Sequence, residues 1–394
     1  MLSLSPQRLT MLVFFLQPIA FGSWLPRIPD VQASLGLGPA GLALALLGLP
    51  CGTLLTLPFA GPLVGRIGPR AALLVGFVFC QIAVALPAFA PGPELLFVAL
   101  MLAGSAVSFV ELGLNVQADA VEKATGKLIM TKSHGFWSVG IMVGSLIGSG
   151  LAALAVEAQW AILVVAMAVL PVALLASGAL PHYSHETHAE GQRSAWALPS
   201  WALLGICCFV FGITMTEGAM ADWSAVFLRD VFGADGGLAG LGYSVFAMMV
   251  AAGRFGGDTL KRRLGTVNTA RLCGTLALVG AAILFLSVST GMALVGFAVI
   301  GVGVSLGFPL AVTAAAGLKD RSASANVAIL SFVALTGFLV GPPIIGFVAE
   351  LADMRLGIAC VVPALLVSLL LAGRLAPRQQ PTLTHPNTQA PGVP

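Results

Sequence analysis

Runs of about twenty apolar residues, each long enough to carry a helix across the hydrocarbon core of a bilayer, recur twelve times along this chain. They fall near residues 9–29, 39–64, 71–90, 95–121, 129–155, 159–180, 201–228, 238–260, 268–288, 292–317, 324–349 and 355–374. Helices are the expected form, because a spanning segment must satisfy its own backbone hydrogen bonds. Composition argues against a soluble fold: 9% of the 394 residues are charged, against about 25% in a soluble domain. The first run is too long for the core of a cleaved signal peptide and has no small-residue cleavage site, so it reads as the first span. The 47 glycines suit helices that approach closely in lipid. The six cysteines lie within apolar runs, without metal-ligand spacing, and read as small buried hydrophobes.

Basic residues then orient the chain. Arg8, Arg66, Arg70, Lys123, Lys127, Lys132, Arg193, Lys261, Arg262, Arg263, Arg271, Lys319, Arg321, Arg374 and Arg378 fall in even-numbered loops or near the termini. Odd-numbered loops carry only Arg27, Arg229 and Arg355. Short positive loops stay on the cytoplasmic side, which places both termini there and requires an even number of spans. The expected architecture is therefore all-α and membrane-integral, with twelve spans. Residues 1–181 form a first six-helix bundle, 182–199 a cytoplasmic connecting loop and 200–376 a second bundle. Residues 377–394, rich in Pro, Thr and Gln, are expected to be a disordered cytoplasmic tail.

The halves repeat. Arg66 and Gly68, after the second predicted span, recur as Arg263 and Gly265 after the eighth. Gly140 and Gly144 in span 5 recur as Gly337 and Gly341 in span 11. Each of these pairs is 197 residues apart. Trp24 and Trp223 are close to the same spacing. Odd spans match odd and even match even, so the halves share one orientation. Parallel repeats of this kind place a site between the halves near mid-membrane.

The segment Gly61-x-Leu-x-Gly65-Arg66-x-Gly68-x-Arg70 resembles the loop 2–3 signature of the major facilitator superfamily. Glu111-Leu-Gly-Leu-Asn115, Glu217-Gly-Ala-Met-Ala-Asp222-Trp223, Gly307-Phe308-Pro309 and Gly337-x-x-x-Gly341-Pro342 look like its fucose-permease-like sector, closest to the MosC/YbjJ-like group. The resemblance implies alternating access and a proton-coupling glutamate on span 4. It also implies a cytoplasmic lock in which an acid normally stands where this chain has Gly65. The lock would then draw on Arg66, Arg70 and Arg263 with Asp119, Glu122 or Asp258.

The residues themselves single out two intramembrane acids. Glu111 lies mid-span on a narrow face with Gly104, Ser108, Asn115 and Ala118. A charged group at that depth costs about 2.5–3.5 kcal/mol on insertion scales, so it is expected to face a cavity or a partner. A carboxyl that alternates between sheltered and hydrated surroundings can bind and release a proton; a hydrogen-bonded structural role is the competing reading. Glu217 holds the corresponding depth in span 7, near Thr214, Ala221 and Ser224, as a second proton site, an acceptor for a polyol or a structural link. Asp222 points elsewhere on the wheel and reads as an interfacial or gate residue.

Trp24 and Trp223 could stack on a solute ring or anchor at the interface. Gln17, two turns before Trp24, and Asn115 are ligand contacts or helix glue. His134 could relay protons or serve structurally; Tyr243, Phe308 and Asn326 complete the candidate pocket. His182, His185 and His188 read as a solvated loop rather than a metal site. No Walker motif and no nucleophile–base–acid set is visible, so neither ATP drive nor catalysis is expected. The reading is a transporter of a small polar solute, with protons and the bilayer as partners. It is expected in a bacterial-type inner membrane as a monomer, without cofactor, metal or nucleic acid. A drug or metabolite exporter and a non-transporting membrane sensor are the alternatives.

Overall fold

A computed structural model describes residues 4–182, 199–318 and 320–376. The tail expected over 377–394, and all but the ends of the loop expected over 182–199, lie outside the described residues, as do His185 and His188. The described chain is helical almost throughout, and eleven of its helical segments are long and apolar enough to cross a membrane. They are α1 (Pro6–Ser34), α2 (Pro39–Ile67), α3 (Pro69–Phe89), α4 (Pro93–Thr125), α5 (Met130–Ala153) and α6 (Ala158–Gly178). The second half supplies α7 (Trp201–Phe232), α8 (Gly236–Phe285), α9 (Thr290–Ala316), α10 (Ala325–Leu351) and α11 (Met354–Leu375).

Local chemistry explains the ends. Pro39, Pro69 and Pro93 open α2, α3 and α4, where a missing N–H costs nothing. Ser200 caps α7 through its side chain, and Asp353 caps α11. Gly126 and Gly233 close α4 and α7 in left-handed conformation.

The 50-residue α8 would measure about 75 Å as one rod, more than twice a bilayer core of about 30 Å. It is broken at Gly265, where φ is 76° and ψ 166°. Gly68, between α2 and α3, has φ 79° and ψ 151°. Both glycines of the repeated Arg-x-Gly motif thus make the same sharp turn, with a positive φ that a side chain would resist. The arms of α8, 236–264 and 266–285, coincide with predicted spans 8 and 9.

The repeat extends to packing. A Cβ on Gly104 of α4 would stand 2.0 Å from the carbonyl oxygen of Leu49 on α2, and one on Gly301 of α9 would stand 2.5 Å from that of Phe246 on α8. A Cβ on Gly144 would meet Ile19 O at 2.0 Å, and one on Gly341 would meet Met215 O at 3.1 Å. Equivalent helices therefore touch backbone to backbone in both halves, as small residues permit in lipid.

Within the first half α1 packs on α5 and α6, and α4 on α2 and α3. Within the second, α7 packs on α10 and α11, and the two arms of α8 on α9. Contacts across the halves run along α5 with the first arm of α8, and along α2 with α10. Gly135 at the start of α5 meets Phe255, and Ala153 at its end meets Gly237, so α1 and α7 start at one end of the bundle, here the terminal face; the opposite end is the far face.

Candidate functional site

A cavity of about 280 Å³ lies between the halves. Glu111 of α4, Trp24 of α1, and Trp137 and Ser138 of α5 line it from one side; Glu217 and Asp222 of α7, with Tyr243 and Arg254 of α8, line it from the other. Phe21, Phe246 and Phe338 join a mainly aliphatic remaining wall that includes Leu46 and Leu49 of α2. Both sequence-selected acids thus reach one cavity from opposite halves.

The polar groups are linked unevenly. Arg254 donates from Nη1 to Ser138 Oγ at 2.7 Å, and its Nη2 lies 3.7 Å from Glu217 Oε1. Ser138 Oγ also donates to the carbonyl of His134 at 3.1 Å. His134 Nε2 meets Asn115 Oδ1 at 3.2 Å, and its ring stands edge-on to Phe14. A polar chain therefore runs from Glu217 through Arg254 and Ser138 to the backbone of His134, whose ring reaches Asn115, one turn from Glu111. Glu111 and Asp222 form no ion pair or hydrogen bond among the described residues, which leaves two cavity carboxyls without a protein partner.

The other expected contacts divide. Tyr243 and Trp24 line the cavity. Gln17 is buried and accepts from Trp137 Nε1 at 2.7 Å; it orients a cavity wall and does not itself line the space. Asn115 and His134 sit behind the lining in the same supporting role. Phe308 is half-buried and lines no part of the cavity. Asn326 is buried and donates to Asp320 Oδ1 at 3.0 Å near the terminal face.

Trp223 corrects the sequence reading. Its separation from Trp24 is 199 residues, two more than the repeat, and two residues turn a helical side chain by about 200°. The true counterpart of Trp24 is Ala221, which lines the cavity; Trp223 is fully buried and packs beside Gly346. Asp222 also differs from expectation. Glu217, Gly218, Ala221 and Asp222 all line the space, because a cavity bounded by several helices admits a broad stripe of α7 rather than one narrow face.

The expected lock at the terminal face is not assembled in this structure. Arg66, Arg263 and Asp258 form no ion pair or hydrogen bond among the described residues. Arg70 donates to the carbonyl of Gly178 and to His182 Nδ1 at 2.8 Å. Glu122 caps α5, accepting from the N–H groups of Ile129 and Met130 at 2.5 and 2.7 Å, and Asp119 pairs with Lys123 at 2.7 Å. Local helix-end demands thus satisfy two of the three candidate acids.

The far face is tied across the halves instead. Arg229 donates to Pro29 O and Gln32 Oε1, each at 2.7 Å. The backbone N–H of Ala40 donates to Glu350 Oε2 at 3.3 Å. Glycines complete the seam: a Cβ on Gly240 would meet Ser149 Oγ at 2.3 Å, and one on Gly346 would meet Ala43 Cβ at 2.4 Å. These two contacts are themselves related by the 197-residue repeat, 43 to 240 and 149 to 346.

Arg254 escaped the sequence reading, and so did Trp137. The signal for Arg254 was arithmetic: of 19 lysines and arginines, eighteen fall in loops or near the termini, and the remaining one stands inside predicted span 8. Trp137 carries no comparable mark, since aromatic residues are ordinary in such helices.

Comparison with known proteins bears on the whole chain. The family model of the Major Facilitator Superfamily matches residues 10–326. An uncharacterised MFS-type transporter of Yersinia pestis is 33% identical over 365 residues, covering 92% of this chain and 94% of that protein. The membrane protein MosC of Rhizobium meliloti is 28% identical over 343 residues, covering 86% and 82%. Among solved structures, a point mutant of the nucleoside transporter NupG superposes with a TM-score of 0.77 at 13% identity, covering 94% of this chain and all of that one. A bacterial homologue of the human lysosomal transporter Spinster, in an inward-facing occupied form, gives 0.72 at 17%, covering 94% and 96%. The chain therefore belongs to the Major Facilitator Superfamily, as a membrane transporter of that family and not an enzyme.

Proposed function

We propose that the protein is a proton-coupled secondary transporter that moves a small polar solute (a sugar, polyol or amino-sugar-like compound) by alternating access. The observation that carries this reading is the meeting of Glu111 and Glu217, from opposite halves, at one cavity. Carboxyls in that position can exchange protons as hydration alternates between the two membrane faces. A volume of about 280 Å³ lies just below the usual range of ligand pockets, roughly 300–1,000 Å³, and suits a small solute. Trp24, Trp137 and Tyr243 offer faces for a ring and polar edges for its substituents.

Counting the two arms of α8 separately gives twelve spans in two six-helix bundles, residues 1–181 and 200–376. Both termini are cytoplasmic, in a bacterial-type inner membrane. The far face is then the outer one, and its ties describe a form closed to the outside. The aromatic share of the cavity wall favours one second reading, export of a more apolar compound.

The test uses purified protein in liposomes under an imposed pH gradient, with a panel of sugars, polyols, amino-sugars, nucleosides and apolar drugs. Gradient-driven movement of a polar solute, abolished in Glu111→Gln, is the expected result. Movement of the drugs alone selects the exporter. No solute movement in any arm, together with a stable protein partner recovered from membranes, points to a sensor.

A further inference from the structure

Arg254 is the one cation lining the cavity among the described residues, and it stands on the line where the halves meet. Its Nη1 is bonded to Ser138 Oγ of the first half at 2.7 Å. Its Nη2 lies 3.7 Å from Glu217 Oε1 of its own half, within ion-pair reach but too far for a hydrogen bond. Arg254 Nε and Glu217 Oε1 are both buried without a hydrogen-bond partner. One guanidinium is thus divided between a neutral acceptor across the seam and a carboxyl on its own side.

A guanidinium stays charged at any accessible pH, so only the carboxyl can change this division. An ionised Glu217 offers a charge-assisted hydrogen bond, roughly twice as strong as a neutral one, and competes with Ser138. A protonated Glu217 withdraws that competition, and Ser138 keeps the guanidinium. Other titratable groups surround the pair. Asp222 on α7, Tyr243 on α8 and Glu111 on α4 line the same cavity, and His134 lies one turn from Ser138 on α5. No titratable side chain of α10 or α11 lines it. None of these groups forms an ion pair or hydrogen bond with Arg254 among the described residues.

The Ser138–Arg254 bond lies one turn from the terminal-face end of the antiparallel contact of α5 with α8. That contact runs from Gly135 beside Phe255 to Ala153 beside Gly237. Breaking it frees the part of the seam nearer the terminal face, where no other hydrogen bond joins α5 to α8 among the described residues. The far-face part keeps its own link, Ser145 Oγ to Ser244 Oγ at 2.7 Å.

We propose that Arg254 is a positioning residue that turns the proton occupancy of Glu217 into holding or releasing the contact between the halves. The proposal deepens the transporter reading and rests on it for its purpose. Its test requires no solute. Protein with the six native cysteines replaced is spin-labelled at Leu128 and Leu264, which are 86% and 40% exposed, and reconstituted in lipid nanodiscs. Interlabel distances are then recorded from mildly acid to mildly alkaline pH.

The wild type is expected to show two distance populations whose ratio titrates. Glu217→Gln fixes the ratio at its acid limit, and Arg254→Gln removes the pH response. Arg254→Lys, which keeps the charge, restores a response with a displaced midpoint. Ser138→Ala depletes the held population by about 10- to 150-fold, the weight of one hydrogen bond to a charged group. Should Arg254→Gln fold poorly, Glu217→Gln and Ser138→Ala carry the decision, each checked by its thermal unfolding transition. A wild-type ratio that ignores pH, or a Glu217→Gln curve that titrates like wild type, overturns the proposal. Failure of every solute in the liposome panel would sink the transporter reading and leave this titration unchanged.

Discussion

Gly240→Ala should open the far face without unfolding the protein. The Cβ it adds would stand 2.3 Å from Ser149 Oγ and 2.6 Å from Pro26 Cβ, both on the opposite half. Ordinary contact begins near 3.4 Å, so the seam must widen by about 0.8 Å at Pro26, a ring that cannot fold away. Overpacking of this order costs about 1–3 kcal/mol. Here the cost falls on the far-face-closed form alone, because each neighbour it strikes crosses the seam. It is relieved when the halves part, so the balance between forms moves about 5- to 150-fold.

Gly104→Ala is the matched control. Its Cβ would meet Leu49 O at 2.0 Å, but α2 and α4 belong to the same half and cannot separate without loss of fold. Spin labels at Ala33 and Val288, both exposed at the far face, report on the first variant, and thermal unfolding in detergent reports on both. The expected pattern is a longer interlabel distance in Gly240→Ala with little change in melting, and the reverse in Gly104→Ala. If Gly240→Ala melts early at an unchanged distance, the seam is a fixed core and the halves do not move apart there.

Removing the far-face tie should act in the same direction by another route. Arg229→Ala deletes the bonds to Pro29 O and Gln32 Oε1 and should favour far-face opening by about 1–3 kcal/mol, read by the same label pair. The two tryptophans should differ in kind. Trp24→Ala is expected to weaken binding of a solute found in the liposome panel, whereas Trp223→Ala lowers melting temperature, since its ring is fully buried away from the cavity. Outside the spans, hydrogen bonds from Ser200 and Asn326 hold the Asp320 carboxyl below its ordinary pKa. Its contribution to stability is therefore present above the unfolded-chain value and lost as pH falls through the folded one. Asp320→Asn should lower the melting temperature at neutral pH and converge with wild type in acid, which flattens the acid limb of the melting curve.

The sequence alone determined the membrane class, the approximate span positions and the internal repeat, because these rest on local properties. Hydropathy over about twenty residues decides whether a segment can leave water, and Gly68 and Gly265 mark equivalent turns by what they lack. The same local logic identified Glu111 and Glu217, since an acid within an apolar run requires shelter wherever it lies. What only the tertiary structure decided is which groups meet. Glu122 and Asp119 look available in sequence, yet a helix end and a neighbouring lysine occupy them. Trp223 seemed a twin of Trp24 until a two-residue phase difference turned it into packing. Arg254 and Ser138 stand 116 residues apart, and their bond exists only because α5 and α8 run antiparallel across the seam. Periodicity fixes how far round a helix a side chain points; the neighbour it meets there depends on how helices from distant parts of the chain are set together.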